Sequence, residues 1–303
     1  MIKVGVIGAG HLGKLIIKQL NELPEWFTIT GFYDNNTNIS SLYDDLQQLI
    51  SFKDADSLIK ASDALILSVP TSFHYIYARQ ILSFGKHLFI EKPITDTIEE
   101  ATLLKEYIDK NPNSIVQVGH IERFNPAWLS IKELPLNPMF IEVHRLAPFN
   151  PRGTDVSVVL DLMIHDLDLI LQLIPYEIVE IRANGVSILS PTPDIANARI
   201  EFKNGAVANI TASRISMKKM RKMRLFQKES YISLDFLEKK SQIISNSFSN
   251  SEIILPPFSN YNALKEELKS FAEAIFYKRK PTVTVDDGLK ALQLAFKIMQ
   301  HIN

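Results

Sequence analysis

Three glycines set between a strand and a helix restrict the fold of this chain more than any other feature. Val4–Ile7 reads as a buried strand and Leu12–Leu23 has helical spacing. Between them runs Gly8-Ala9-Gly10-His11-Leu12-Gly13. Gly8 permits a tight turn, Gly10 lets backbone N–H groups approach a pyrophosphate, and Gly13 lets the helix lie close on the strand. The helix N-terminus then turns partial positive charge toward the phosphates. A second strand, Thr28–Tyr33, ends at Asp34, 21 residues beyond Gly13. An acidic side chain at that point takes the adenosine ribose hydroxyls. Asn35 and Asn36 follow with no Arg or Lys beside them. A 2′-phosphate would meet a carboxylate and no cation there, so NAD is expected rather than NADP.

The alternation of strand and helix continues to about Gly119. Ala64–Val69 is almost wholly apolar, as in a parallel strand buried on both faces. His74–Phe84, His87–Ile90, Ile98–Lys110 and Ile115–Val118 read as helix, strand, helix and strand. This order predicts a doubly wound parallel sheet, an α/β fold. Beyond it the pattern changes. Pro126, Pro135, Pro138, Pro148 and Pro151 break up the next segment, and a helix is expected from about Val156 to Leu173. Strand-like runs follow at Ile178–Asn184, Ala198–Phe202, Ala206–Ser213, Met223–Gln227 and Tyr231–Phe236, with a hairpin signal at Asn204-Gly205. Ser241–Ser251 reads as a loop or hairpin tip, and helices at Tyr261–Tyr277 and Asp286–Gln300 close the chain. The second part is therefore expected to be an α+β domain with a large, mostly antiparallel open sheet and helices on one side.

A chain of 303 residues is longer than single cores usually grow, so two domains are expected, at 1–119 and 120–303. Lys and Arg total 33 against 34 Asp and Glu, which argues against a nucleic-acid partner. The absence of cysteine excludes a disulfide framework, a thiolate metal site and a cysteine nucleophile. No apolar run reaches the ~18 residues of a membrane-spanning helix. The N-terminus opens on a strand rather than a signal peptide, so a soluble cytoplasmic protein is expected.

Two further places carry chemistry. Glu91-Lys92-Pro93 ends a buried strand, where doubly wound sheets bind ligands. A lysine there can set an ammonium beside a reacting oxygen, though a solvated Glu-Lys pair is an even alternative. Asp161 and His165 lie at i and i+4 of a mostly apolar helix, and so on one face. Such a pair costs desolvation unless it is satisfied or faces a cleft. It reads as a helix-surface pair or as a histidine exchanging a proton with a substrate while the aspartate orients it. Asp161, His165 and Asp166 are also metal-ligand types, but a third ligand motif is lacking and no metal is expected.

Together these segments resemble the Gfo/Idh/MocA (glucose–fructose oxidoreductase-like) family of nicotinamide-dependent sugar oxidoreductases over essentially the whole chain. The resemblance rests on the glycine turn, on Ser68-Val69-Pro70-Thr71 with His74, and on Glu91-Lys92-Pro93. It rests further on Gly119-His120-Ile121-Glu122-Arg123-Phe124-Asn125-Pro126, on Asp161 with His165, and on Ala206 to Ser213 after Asn204-Gly205. It implies that these N-terminal segments, with Glu91, Lys92 and His120, hold the cofactor. It also implies that Lys92, Arg123, Asp161 and His165 meet a sugar, with Lys92 or His165 as acid/base. A homodimer or homotetramer is implied as well. Gly119–Pro126, Leu160–Leu169 and Lys222–Gln227 are most similar to the branch acting on UDP-N-acetylglucosamine at C3. The run Arg214–Lys228 holds seven cations and no acid. Lys222 and Arg224 on one strand face would hold a nucleotide diphosphate, or else form a solvated sheet edge. A dehydrogenase of a free sugar or inositol, and a non-catalytic NAD-binding regulator, are the rival expectations.

Overall fold

The computed structural model of the chain describes residues 1–39, 43–150, 156–245, 252–254 and 261–302. Two compact units emerge: Met1–His120 with Asn262–Leu289, and Ile121–Tyr261 with Lys290–Asn303.

The first unit carries a five-stranded parallel sheet of β1 (Ile2–Ile7), β2 (Phe27–Tyr33), β3 (Ala64–Leu67), β4 (His87–Glu91) and β5 (Val116–Gly119). Its order is β2-β1-β3-β4-β5. The chain leaves β1 in one direction for β2 and in the other for β3, so the switch point lies where β1 and β3 are neighbours. Helices α1 (His11–Asn21), α2 (Ala55–Ala61), α3 (His74–Ser83) and α4 (Ile98–Asp109) connect the strands. All four residues of β3 are buried, as its unbroken apolar run requires. The expected α/β doubly wound sheet is present. Helix α2 was not expected; Asp54 starts it by accepting the Ser57 N–H at 2.7 Å.

The second unit is built on an eight-stranded sheet. It comprises β6 (Phe140–Leu146), β7 (Ile178–Val186), β8 (Ile195–Phe202), β9 (Val207–Ser213), β10 (Met220–Gln227), β11 (Ser230–Asp235), β12 (Lys240–Ser245) and β13 (Glu252–Ile254). The order is β13-β12-β11-β10-β6-β9-β8-β7. Every neighbouring pair is antiparallel except β6 with β9. The mostly antiparallel sheet is thus as expected, and Asn204-Gly205 does turn β8 into β9. Strand β6 was not expected. Its inward positions are Ile141, Val143 and Arg145, so the third breaks the apolar alternation that would mark a strand. The tract read as a loop at Ser241–Ser251 begins as strand β12, and 246–251 lie outside the described residues.

The expected helix from Val156 is of two kinds. Val159–Met163 is a π turn, in which the Ile164 N–H reaches back five residues to the Val159 carbonyl. An α-helix, α5 (Ile164–Leu173), follows. Val159, Met163, Leu167 and Ile170 bury against Ile141, Val143, Ile210, Met223 and Leu225 of the sheet.

Two helices end the described chain, α6 (Ala263–Phe276) and α7 (Val285–Gln300). Helix α6 belongs to the first unit. Leu268, Phe271 and Ala272 join Val4, Val6, Ile16 and Phe89 in one core, and the Phe271 ring meets Phe89 edge-on at 5.8 Å. The first unit is therefore not one continuous segment, unlike the expected division into 1–119 and 120–303. An amphipathic stripe shows that a helix has a partner but not which one. The end of α7 places Leu294, Ala295 and Ile298 in the second core. Phe271→Ala should cost about 3–5 kcal/mol of stability, as large aromatic truncations in cores do. Urea denaturation followed by circular dichroism measures it, and a loss below about 1 kcal/mol would mean that α6 is dispensable to that core.

Candidate active site

The carboxyl ends of β1, β2 and β3 enclose a cleft of about 320 Å³, lined by Gly8, Gly10, Asp34, Asn35, Ser68, Val69 and Pro70, among others. The glycine turn is packed as its sequence suggests. Gly8 has φ +90°, and a Cβ at Gly13 would collide with the Gly8 carbonyl oxygen. A Cβ at Gly10 would meet nothing within 4 Å, so open space lies over the backbone there. Helix α1 has no side-chain cap and no acid in its first turn, where His11 and Leu12 are exposed. Its first N–H groups are thus left for an anion. Ser68 ties β3 to the turn by donating its hydroxyl to the Gly8 carbonyl at 2.7 Å.

Asp34 accepts the Ala9 N–H at Oδ2 and the Asn36 N–H at Oδ1, both at 2.8 Å. The carboxylate is thereby fixed at the cleft. Tyr33, the last residue of β2, and Tyr77, on α3, also line it; sequence reasoning missed them because an aromatic within a strand or beside His74 on a helix reads as packing. Burial, with Tyr33 and Asp34 nearby, pushes the Tyr77 hydroxyl up to about 12. An open backbone cradle, an uncapped helix start and a fixed carboxylate fit the pyrophosphate and adenosine ribose of a dinucleotide.

Lys92 follows β4, half-buried, with its backbone N–H 3.3 Å from Glu91 Oε2. The Lys92–Pro93 peptide is cis. His74 is buried, its Nδ1 2.8 Å from the Pro93 carbonyl oxygen and its Nε2 3.0 Å from that of Val69. The ring thus ties the Ser68–Thr71 segment to the exit of β4. Thr71 opens a short 3-10 turn just before His74. His120 is buried at the end of β5. Glu91 is buried, and a side chain at Gly119 would press on it, with a Cβ 2.8 Å from Oε2.

In the second unit Asp161 and His165 are half-buried. Asp161 lies in the π turn and His165 in α5, so a change of helix type separates them rather than one regular α turn. π turns of this kind recur at functional sites. Asp166 is not turned to a metal: its carboxylate takes Arg145 Nε and Nη2 at 2.6 and 2.8 Å. Arg145 Nη1 donates to Glu122 at 2.8 Å. Burial works against the Arg145 charge, but Asp166 and Glu122 outweigh it and hold the guanidinium protonated. Arg123, expected at substrate, is buried and forks onto Asp168 at 2.7 and 2.5 Å.

Lys222 and Arg224 do share a strand face, but each has an acid beside it. Lys222 pairs with Asp235 at 3.3 Å and Arg224 with Glu142 at 3.0 Å, each directly across the ladder. Strand β10 lies between β11 and β6, so the two are not at a sheet edge as the alternative expected; they form cross-strand ion pairs on one face of the sheet. Their acids come from β11 and β6, and no count within the run Arg214–Lys228 could find them.

A switch-point cleft over a glycine turn, closed by an acid after the second strand, defines the class of dinucleotide-binding oxidoreductases. Residues 2–120 match the model of the oxidoreductase family with an NAD-binding Rossmann fold, and 143–232 match the GFO/IDH/MocA C-terminal domain. The chain is 36% identical over 243 residues to a UDP-N-acetylglucosamine 3-dehydrogenase of Acidithiobacillus ferrooxidans, covering 80% of this chain and 76% of that one. A solved structure of the enzyme of that name from the same organism superposes with a TM-score of 0.92 at 33% identity, over 99% of this chain and 97% of the other. A scyllo-inositol 2-dehydrogenase (NAD(+)) of Bacillus subtilis is 28% identical over 251 residues, 77% of this chain and 73% of that one. This chain belongs to the Gfo/Idh/MocA family of oxidoreductases, and its cofactor is NAD.

Burial pushes the Glu91 carboxyl from near 4.5 up to about 7. Between those values the folded state holds a proton that the unfolded state has lost. This contribution is full below about pH 4.5 and is lost as pH rises through about 7, by about 3 kcal/mol at most. Glu91→Gln should remove that part of the decline. Urea midpoints of wild type and variant between pH 4.5 and 7.5 measure it, and parallel curves would contradict it.

Proposed function

We propose that the chain is a dehydrogenase moving a hydride between NAD and a secondary alcohol carbon of a nucleotide sugar, of the UDP-N-acetylglucosamine kind. The observation that carries the substrate class is the 36% identity to a UDP-N-acetylglucosamine 3-dehydrogenase over 80% of this chain. Bound NAD supplies the hydride acceptor. The protein's part is to fix the sugar carbon and to move the hydroxyl proton. Lys92 sits at the carboxyl end of β4, where dinucleotide-binding sheets present their reacting groups. His165 takes the proton, Asp161 orients its ring, and the Lys92 ammonium steadies charge developing on the substrate oxygen. Exchange of the first and last roles uses the same residues. His74 sets the Lys92-Pro93 segment through the Pro93 carbonyl.

A free polyol is the second reading. It is favoured by the cross-strand pairing of Lys222 and Arg224, which leaves neither cation for a diphosphate. The protein is further proposed to work in the cytoplasm as a homodimer or homotetramer. The rings of Phe140, Phe226 and Tyr231, on the sheet face away from the core, offer the self-contact.

NADH absorbance with UDP-N-acetylglucosamine and with inositols tests the substrate. Lys92→Ala and His165→Ala should each lower kcat about 10²-fold or more, the range of positioned acid–base groups, with NAD affinity nearly unchanged. Near-wild-type turnover in both variants would reject the assigned roles.

A further inference from the structure

The basic run Arg214–Lys228 divides once its partners are known. Arg214 is buried and donates to the Val156 carbonyl at 2.6 Å. Lys222 and Arg224 are neutralised across the ladder. Arg221 differs from all three. On β10 it falls on the face of Met223 and Leu225, which carry the core, and opposite to Lys222 and Arg224. Its side chain lies at the end of that core and is 48% exposed. Its neighbour across the ladder is Arg145, a like charge, whose own hydrogen bonds are taken by Asp166 and Glu122. Arg221 Nη1 comes only to 3.7 Å of Glu122 Oε1. That carboxylate is already held by Arg145 and, at 3.0 Å, by Asn125. Among the described residues the Arg221 guanidinium makes no hydrogen bond.

An arginine beside a like charge, partly out of water and with its donors unused, is poorly served by the protein alone. Burial and the Arg145 charge both push it below its ordinary value, and Asp161 is among the acids whose fields it feels. It is thus electrostatically coupled to the π turn that carries the proposed orienting acid. The exposed Lys218 and Lys219 precede it and add positive potential.

We infer that Arg221, rather than Lys222 or Arg224, takes the phosphate oxygens of the substrate, so that choice of a nucleoside-diphosphate sugar over a free polyol rests on the inward face of β10. A guanidinium fork suits two phosphate oxygens, and a ligand anion would give the Arg221 donors the partners that Asp166 and Glu122, engaged by Arg145, do not provide. The inference rests on the nucleotide-sugar reading above.

Steady-state kinetics with NAD and UDP-N-acetylglucosamine, with UDP as competitive inhibitor, test it. Arg221→Gln should raise KM and the UDP inhibition constant about 10–100-fold, the range for a hydrogen bond to a charged group. kcat and NAD affinity should stay within about threefold, because uniform binding is lost rather than transition-state contact. Arg221→Lys should recover part of the loss, since it keeps the charge without the fork. Lys228→Gln, at the far end of the same basic run, should match wild type. A folded Arg221→Gln with unchanged KM would overturn the inference, as would a rise in KM carried instead by Lys222→Gln with Arg224→Gln. Should the glutamine variant not fold, the lysine variant decides in the same way. A wild-type protein that ignores UDP and UDP-N-acetylglucosamine yet oxidises an inositol would defeat the nucleotide-sugar reading itself, a result distinct from either.

Discussion

The second unit depends on one buried guanidinium. Arg145 is 2% exposed on the inward face of β6, where its neighbours at 141 and 143 are aliphatic. Removing such an ion from water costs several kcal/mol unless its donors are met. Asp166 of α5 meets two of them, and Glu122, in the short 3-10 turn Ile121–Phe124, meets another. Arg123 of that turn in turn binds Asp168, two residues beyond Asp166. A turn, a strand and a helix are thus held in one registry by directional bonds, where apolar packing alone would tolerate sliding. Asp161 and His165 stand on the chain just before Asp166, so this registry also sets where they stand over the sheet.

The parallel sheet of the first unit was legible in the sequence because its constraint is local, whereas the return of α6 to its core was not. A glycine turn needs only its strand, its helix and an acid at the right distance, and all are close in the chain. Strand β6 was not legible, because the residue that organises it, Arg145, looks like a surface residue until Asp166 and Glu122 are beside it. The π turn left no signal either, since one i→i+5 bond changes no hydrophobic period. The candidate site shows the same split. Gly8, Gly10 and Asp34 share one cleft, as the spacing implied, and Ser68 and Val69, which only the family resemblance pointed to, line it with them. Arg123 carried the right charge for a substrate contact, yet its partner was a helix residue 45 positions away.

Charge counts are informative only with geometry. Seven cations without an acid look like one patch in a linear reading. Only Arg221, Lys222 and Arg224 lie on β10; alternation sends them to two faces, and neighbouring strands supply Asp235 and Glu142 to the face of Lys222 and Arg224. Among the described residues Arg221 is answered only by Glu122, at 3.7 Å and already held by Arg145.

The return of α6 to the first core has a consequence for how the chain is made. At about 5–20 residues per second, a ribosome needs roughly 7–28 s to translate the stretch from Ile121 to Tyr261 that separates β5 from α6. Through that interval Phe89 and its aliphatic neighbours lack the rings that will cover them. The nucleotide-binding unit is begun first yet closes its core only after the sheet of the second unit has been translated, so a nascent chain carries Phe89 without its ring partner through that whole stretch.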